Sequence, residues 1–273
     1  MSPLEGVLLG VIQGLTEFLP VSSSGHLVIV QSFIKGFHQP GVLFDVMLHC
    51  GTLLAVLFFF RRTIYDILRS LLPKRWRGST DDDLAATGRK MALLIIVATG
   101  ITATFGVLFE HEIRDLFESV DIVAAMLIIT GLLLYLSDRK VGGDKKDEEL
   151  GLADSAIIGI AQCFALIPGI SRSGATITFG IFRGLRGETA ARFSFLLSIP
   201  AIAGATVFEL RYAGSATTDE MAVYFIGMTA AAVTGFFTLK LLFFIINKRR
   251  LSIFAYYCWF VGISVLMMRT IRF

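Results

Sequence analysis

The sequence is poor in charged residues and in cysteine. Only 17% of its 273 residues are charged, whereas soluble domains carry about a quarter. The three cysteines lie far apart in apolar stretches, which excludes a disulfide framework and a cysteine-based metal site. In contrast, 55% of the residues are hydrophobic and the mean hydropathy is +0.72. The composition therefore excludes a disordered chain and a nucleic-acid-binding protein, and it indicates an all-α integral membrane protein.

Long apolar runs predict six transmembrane helices. A helix needs about 20 apolar residues to cross a bilayer, and six segments meet this length, namely 43–60, 89–109, 120–137, 190–210, 221–246 and 253–271. Two further apolar stretches, 3–34 and 154–185, are interrupted in the middle by proline, glycine and serine. Because each half is too short to cross alone, we expect two re-entrant helix–loop–helix pairs, which enter and leave on one side.

The lysines and arginines separate onto two sides if the re-entrant pairs do not cross. One side then carries 18 of the 25 basic residues, many of them in 61–90 and in the loop 138–153, and the other side carries five. Short loops rich in lysine and arginine stay in the cytoplasm. The pattern predicts that the first side is cytoplasmic and that both chain termini lie on the outer face.

The two interrupted stretches match each other at a constant offset. Gln13 pairs with Gln162, and the match continues without a gap from Ser22, Ser24 and Gly25 to Ser171, Ser173 and Gly174. We therefore expect a single membrane domain, 1–273, made of two repeats at about 1–137 and 154–273 that the loop 138–153 joins. Three crossings follow each pair, so the second repeat is inverted relative to the first. This inverted-topology repeat brings the two interruptions together near the bilayer midplane.

Two charged residues lie inside these apolar stretches, Glu17 in the first and Arg172 in the second. Placing an arginine in a bilayer costs about 2.5–3.5 kcal/mol on insertion scales, so Arg172 needs an anionic partner. Serines and glycines open the helix that follows each interruption, and helix N-termini favour anions. The pattern indicates a phosphate site, and a purely structural ion pair between Glu17 and Arg172 is the alternative.

The same stretches contain the residue types that phosphate-ester cleavage needs. Ser23 can act as a nucleophile, and either His26 or Glu17 can take its proton. Arg172 can stabilise negative charge on the phosphoryl oxygens. Glu17 can instead bind a divalent cation that bridges phosphate oxygens.

Two pairs of polar residues follow the four-residue spacing of one helix face. Gln13 and Glu17 form the first pair in the first interrupted stretch. Asp45 and His49 form the second pair inside the first crossing. The sequence leaves open whether this second pair lines the site or lies near the membrane surface.

The two interrupted segments are Gln13–His26 (QGLTEFLPVSSSGH) and Pro168–Thr176 (PGISRSGAT). They resemble the two signatures of the bacterial undecaprenyl-diphosphate phosphatases, also known as bacitracin-resistance proteins. The resemblance implies a multi-pass enzyme of the cytoplasmic (inner) membrane that removes one phosphate from a polyprenyl diphosphate. Its product recycles the lipid carrier for cell-wall synthesis. It also implies Mg²⁺ or Ca²⁺ as the cofactor. The implied partners are the lipid substrate and membrane lipids but not nucleic acid, and a homodimer is possible.

The resemblance also implies roles for single residues. The catalytic residues are Ser23, Glu17, His26 and Arg172, with Glu17 also as the metal ligand. The implied substrate-binding residues are Gln13, Ser22, Ser24, Gly25, Ser171, Ser173, Gly174 and Thr176. Gln13 departs from the pattern, because many relatives carry a glutamate there and an amide cannot act as a base. The competing function, suggested by the inverted repeat, is a transporter or flippase of the polyprenyl phosphate, with or without phosphatase activity.

Overall fold

The protein is helical throughout the part of the chain that the structure, a computed structural model, describes. That part comprises residues 1–33, 42–77, 82–117, 119–140, 143–210, 217–248 and 250–271. It contains thirteen α-helices and one 3₁₀ turn at Asp147–Glu149. The α-helices are α1 (Pro3–Phe18), α2 (Ser23–Phe33), α3 (Val42–Phe59), α4 (Arg61–Ser70), α5 (Lys74–Arg77), α6 (Asp82–Leu108), α7 (Glu110–Leu116), α8 (Val120–Arg139), α9 (Leu152–Phe164), α10 (Arg172–Phe182), α11 (Gly187–Glu209), α12 (Thr218–Asn247) and α13 (Ser252–Ile271).

Five of the described helices are long and apolar enough to cross a membrane. They are α6, α8, α11, α12 and α13, and α3 with α4 makes a sixth if this bent pair counts as one span. The pair bends by 75°, at Phe60, where the apolar α3 gives way to the arginine-rich α4. These helices identify a multi-pass membrane protein.

Both interrupted stretches form two short helices separated by a loop. The helices α1 and α2 have 16 and 11 residues, and α9 and α10 have 13 and 11. Helix α1 ends where a helix is expected to end, because Leu19 precedes a proline and takes an extended conformation (ψ 141°). The second loop contains Gly169 with φ +95°, a conformation that suits glycine.

Small residues fix α1 against α12. Gly6, Gly10 and Gly14 lie one turn apart on α1 and face the backbone of α12. A Cβ on Gly14 would lie 2.7 Å from the carbonyl oxygen of Ala231, which is closer than real contacts allow. This close packing, typical of helices in membranes, determines where the next residues of α1 lie.

A cluster of phenylalanines packs behind these helices and joins the two halves of the chain. Phe195 of α11 is buried and contacts three other rings, with centroid distances of 5.7 Å to Phe18, 6.3 Å to Phe60 and 6.1 Å to Phe243. Edge-to-face and offset contacts of this kind stabilise aromatic clusters. Since Phe18 directly follows Glu17, the cluster anchors the end of α1.

A second charged group lies outside the candidate spans, at the start of α9. The buried carboxylate of Asp154 accepts hydrogen bonds from Arg183 Nε (2.7 Å) and from the Gly151 N–H (3.1 Å), and Lys145 Nζ lies 3.6 Å away. Burial raises the pKa of Asp154, but these donors outweigh it and hold the pKa below its usual range. The group ties the segment between the two repeats to α10.

Candidate active site

The two interruptions lie in contact with each other. Arg172, the first residue of α10, forms an ion pair with Glu17 near the end of α1 through Nη2 and Oε1. Ser173 donates a hydrogen bond to the carbonyl of Leu19, in the first loop, at 3.3 Å. One site therefore combines residues that lie about 150 positions apart in the sequence.

Glu17 is the centre of this site. Its second oxygen, Oε2, accepts hydrogen bonds from Ser23 Oγ at 2.6 Å and from Gln13 Nε2 at 3.0 Å. A buried carboxylate is costly unless it is paired and hydrogen-bonded, and Glu17 has an arginine and two donors. The Ser23 hydroxyl is thus within the distance at which a carboxylate can take a proton from a nucleophile.

Ser22 holds the turn that presents Ser23. It has φ +68°, and no other residue except glycine has a positive φ in the described ranges. A left-handed conformation costs about 1–2 kcal/mol for an L-residue. The Ser22 hydroxyl accepts from the Gly25 N–H and lies near Ser24 Oγ, both at 3.4 Å. The strained residue therefore caps α2 and places Ser23 in its first turn, as in other sharp turns that carry a nucleophile.

The second loop ends in a similar cap. The Ser171 hydroxyl accepts from the Gly174 N–H at 3.1 Å and lies 3.2 Å from Ser173 Oγ. In contrast, the hydroxyl of Thr176 is directed elsewhere. It donates to the carbonyl of Arg172 at 2.8 Å and lies 2.6 Å from Ser194 Oγ on α11. Thr176 is completely buried and connects α10 to α11, next to the network around Glu17 but outside it.

His26 lies beside the site and contacts a residue that the sequence did not single out. Its Nδ1 is 2.8 Å from the carbonyl oxygen of Ser22, and its Nε2 is 2.8 Å from the hydroxyl of Tyr257 on α13. The two rings are stacked, with centroids 5.5 Å apart and planes 9° apart. A tyrosine inside an apolar span leaves no pattern in the sequence, so this partner could not be predicted.

His49 belongs to the site, which answers a question that the sequence left open. Its Nδ1 lies 3.1 Å from Gln13 Nε2 and 3.8 Å from Glu17 Oε2. The half-buried Asp45 lies one turn earlier on α3. The four-residue spacing indicated that Asp45 and His49 share one face of α3. It is the packing of α3 beside α1 that brings His49 to Glu17.

Comparison with known proteins assigns the chain to a family. The family described as bacitracin resistance protein BacA matches residues 6–264. The chain belongs to this family. Similar proteins named undecaprenyl-diphosphatase occur in Syntrophotalea carbinolica (45% identical, covering 96% of this chain and 97% of the relative) and in Halothermothrix orenii (42% identical, covering 98% of both). Another in Methanobrevibacter smithii is 41% identical and also covers 98% of both chains.

The site of this BacA-family chain offers few ligands to a metal ion. No group of three or more histidines, cysteines, aspartates or glutamates that could hold a metal occurs among the described residues. Beside the Glu17 carboxylate, however, Gln13 Oε1 is buried without a hydrogen-bond partner. Mg²⁺ is commonly bound through one or two carboxylates, several waters and the phosphates of a substrate. The residues therefore fit a cation that is bound together with a phosphate group.

Proposed function

We propose that the protein is an undecaprenyl-diphosphatase that hydrolyses undecaprenyl diphosphate to undecaprenyl phosphate and inorganic phosphate. The observation that carries this proposal is the hydrogen bond of 2.6 Å from Ser23 to Glu17, because it pairs a nucleophile with a base beside the anion-binding Arg172. The activity returns the lipid carrier to cell-wall synthesis and confers resistance to bacitracin. It agrees with the names of the relatives, whereas transport of the lipid, the competing function, gains no support from them.

The reaction divides into two steps. In the first, Ser23 Oγ attacks the terminal phosphorus while Glu17 Oε2 takes the hydroxyl proton, and the bond from this phosphorus to the bridging oxygen breaks, which releases undecaprenyl phosphate. In the second, water attacks the phosphoserine, the bond to Ser23 Oγ breaks, and Glu17 returns the proton to that oxygen. Arg172 and the N-termini of α2 and α10 stabilise the charge on the phosphoryl oxygens in both steps.

Glu17 and Gln13 Oε1 are the residues that would hold Mg²⁺ or Ca²⁺ at this site. Such a cation supplies positive charge that neutralises the phosphate oxygens. The other proposed substrate contacts are the hydroxyls and N–H groups of the two capped loops, at Ser22, Ser24, Gly25, Ser171, Ser173 and Gly174.

The proposed architecture is an inverted repeat with two re-entrant pairs that meet at the bilayer midplane. Equivalent helices of the two halves pack in equivalent ways, which supports this arrangement. Helix α1 packs on α12, and its counterpart α9 packs on α6. Helix α8 packs on its counterpart α13, with Gly131 facing Trp259 and Gly262 facing Ile128. The undecaprenyl tail would then lie between helices in contact with lipid.

Phosphate release from undecaprenyl diphosphate by the purified protein tests the function. We expect release by the wild type with Mg²⁺ and loss of release with a chelator. Ser23→Ala should reduce the rate by a factor of at least about 10³, because it removes the nucleophile. Ser137→Ala is the control, since Ser137 is a buried serine whose hydroxyl donates to the carbonyl of Leu134 on its own helix, and it should retain the rate. Near-normal release by Ser23→Ala would disprove the assigned nucleophile.

Thiol labelling in intact cells tests the proposed orientation, with both termini outside the inner membrane. The background variant carries serine at the three native cysteines. We expect a membrane-impermeant maleimide to label Glu112→Cys, in the exposed α7, in intact cells. It should label Arg75→Cys, in the exposed α5, only after lysis. The opposite pattern would invert the topology and move the entrance of the Ser23 loop to the cytoplasmic side.

A further inference from the structure

The contacts of His26 determine which of its nitrogens carries a proton. A carbonyl oxygen only accepts hydrogen bonds, so the Nδ1 atom that faces Ser22 must donate. In the neutral ring Nε2 then has a free lone pair, and the hydroxyl of Tyr257 donates to it. The reactive nitrogen of His26 is therefore covered by Tyr257.

The two partners differ in exposure. His26 is buried, with 8% of its surface exposed, whereas Tyr257 is 43% exposed. Since the hydroxyl of Tyr257 bonds to Nε2, a proton that reaches Nε2 passes through this hydroxyl. The tyrosine is thus the less buried end of the hydrogen-bonded pair.

Contacts of the two residues that follow Tyr257 fix its position on α13. The next residue, Cys258, is buried with its Sγ 3.8 Å from the carbonyl of Pro20 in the first loop. Trp259 donates from Nε1 to the carbonyl of Ile128 on α8 at 3.1 Å. Helix α13 therefore lies between α8 and the Ser22–Ser23 turn, and it holds the phenol ring parallel to His26.

We propose that Tyr257 is a proton relay between the site and His26, an assignment that rests on the proposed phosphatase function. In the second step of the reaction, the attacking water gives a proton to Tyr257 Oη while the hydroxyl proton of Tyr257 moves to His26 Nε2. The water oxygen forms its bond to phosphorus, and Ser23 Oγ leaves with the proton that Glu17 holds. The imidazolium then returns the proton along the same path to the released phosphate. All protons are accounted for without another reactant.

Steady-state kinetics of Tyr257→Phe test the relay, because this change removes the hydroxyl and keeps the stacked ring. We expect kcat to fall by about 10²-fold, at the lower end of what a proton-transfer group contributes, with KM within two-fold of the wild type. Tyr256→Phe is the matched control, because Tyr256 packs against Tyr135 and Trp259 instead, and it should retain kcat. In a His26→Gln background, Tyr257→Phe should cause no further loss. A wild-type kcat for Tyr257→Phe, or an equal loss with and without His26, would overturn the proposal.

Nitrogen-15 spectra of the imidazole groups provide a readout that does not depend on activity. The chain has four histidines, so their ring signals can be assigned by substitution. We expect His26 Nε2 to be unprotonated in the wild type and its resonance to shift in Tyr257→Phe but not in Tyr256→Phe. An unshifted resonance would overturn the relay. If the resonance shifts but the wild type releases no phosphate, the proposed function fails and the relay fails with it, whereas the contact between the two rings stands.

Discussion

The ion pair between Glu17 and Arg172 lies between two helix interruptions, with Glu17 buried and Arg172 partly buried, and each charge compensates the other. Removing one partner of a buried pair typically costs about 3–5 kcal/mol, because the remaining charge has no compensation. We therefore expect Arg172→Ala to lower the unfolding temperature in detergent and to abolish phosphate release. The double variant Glu17→Gln with Arg172→Gln removes both charges, so it should recover most of the stability and none of the activity.

This pair of variants separates the structural role from the catalytic role. If the ion pair were only structural, the double variant would regain phosphate release together with its stability. If the double variant were no more stable than Arg172→Ala, the two charges would not compensate each other and the assigned pairing would be wrong. Thermal unfolding and phosphate release, measured on the same preparations, distinguish these results.

Gln13 orients the groups on both sides of it. Its amide contacts Glu17 at 3.0 Å and His49 at 3.1 Å. We expect Gln13→Leu to lower kcat by about ten-fold or more, because Glu17 loses a hydrogen-bond donor. A hydrogen bond to a charged group contributes about 1.5–3 kcal/mol. The measurement is kcat for phosphate release at saturating substrate.

The repeat supplies a matched control for this variant. Gln162 is the counterpart of Gln13, is equally buried, and donates to Thr102 at 3.1 Å, away from the site. Gln162→Leu should therefore retain kcat even if it lowers stability. Equal effects of the two variants on kcat would mean that Gln13 acts only through packing.

Sequence patterns predicted the charged centre of the site but not its periphery. Glu17 and Arg172 were predictable as partners, because a charge inside an apolar stretch must be compensated. Tyr257 was not predictable as the partner of His26, because the two residues lie 231 positions apart and tyrosine is common in apolar helices. Thr176 was predicted to bind substrate, and this stays a prediction. The helical turn of α10 directs its hydroxyl to the carbonyl of Arg172 and to Ser194 Oγ on α11.

Helix interruptions were predictable at the scale of elements, because proline and glycine leave clear signals. Pro20 and Gly169 lie in loops, as those signals indicate. The bend between α3 and α4 was not predicted. It has no proline or glycine, and it occurs at Phe60, where an apolar helix meets the basic pair Arg61 and Arg62.

The contact between α1 and α12 determines where Gln13 and Glu17 of α1 lie in the helix bundle. A methyl group on Gly14 would lie 2.7 Å from Ala231 O and 2.8 Å from Gly235 N, both of them backbone atoms that cannot move aside. We expect Gly14→Ala to separate α1 from α12, and both the unfolding temperature and kcat should fall. Gly100→Ala is the control, since nothing lies within 4 Å of the added methyl on α6. A Gly14→Ala protein with wild-type stability and activity would contradict this role of the glycines.

At the scale of the whole molecule, the chain needs contacts that hold its two halves in register, because each half supplies one loop of the site. The phenylalanines provide one contact, since Phe195 of α11 packs against rings from α1, from the bend between α3 and α4, and from α12. The group around Asp154 instead ties the connecting segment to the second half, since Lys145 comes from that segment, Asp154 from α9 and Arg183 from the end of α10. The first contact is apolar and independent of pH, whereas the second depends on the charge of Asp154.

The lowered pKa of Asp154 determines how this second contact responds to acid. A carboxyl group whose pKa is lower in the folded state stabilises that state above its unfolded pKa, and the contribution is lost as the pH falls through the folded pKa. We therefore expect Asp154→Asn to lower the unfolding temperature at pH 7. The free energy of unfolding should fall by about 1.5–3 kcal/mol, the contribution of hydrogen bonds to a charged group. The difference from the wild type should shrink once the pH falls below the ordinary aspartate value of 3.8. Asp144→Asn, in the same segment but exposed, should match the wild type throughout. A difference that persists unchanged to pH 3 would show that Asp154 acts through shape rather than charge.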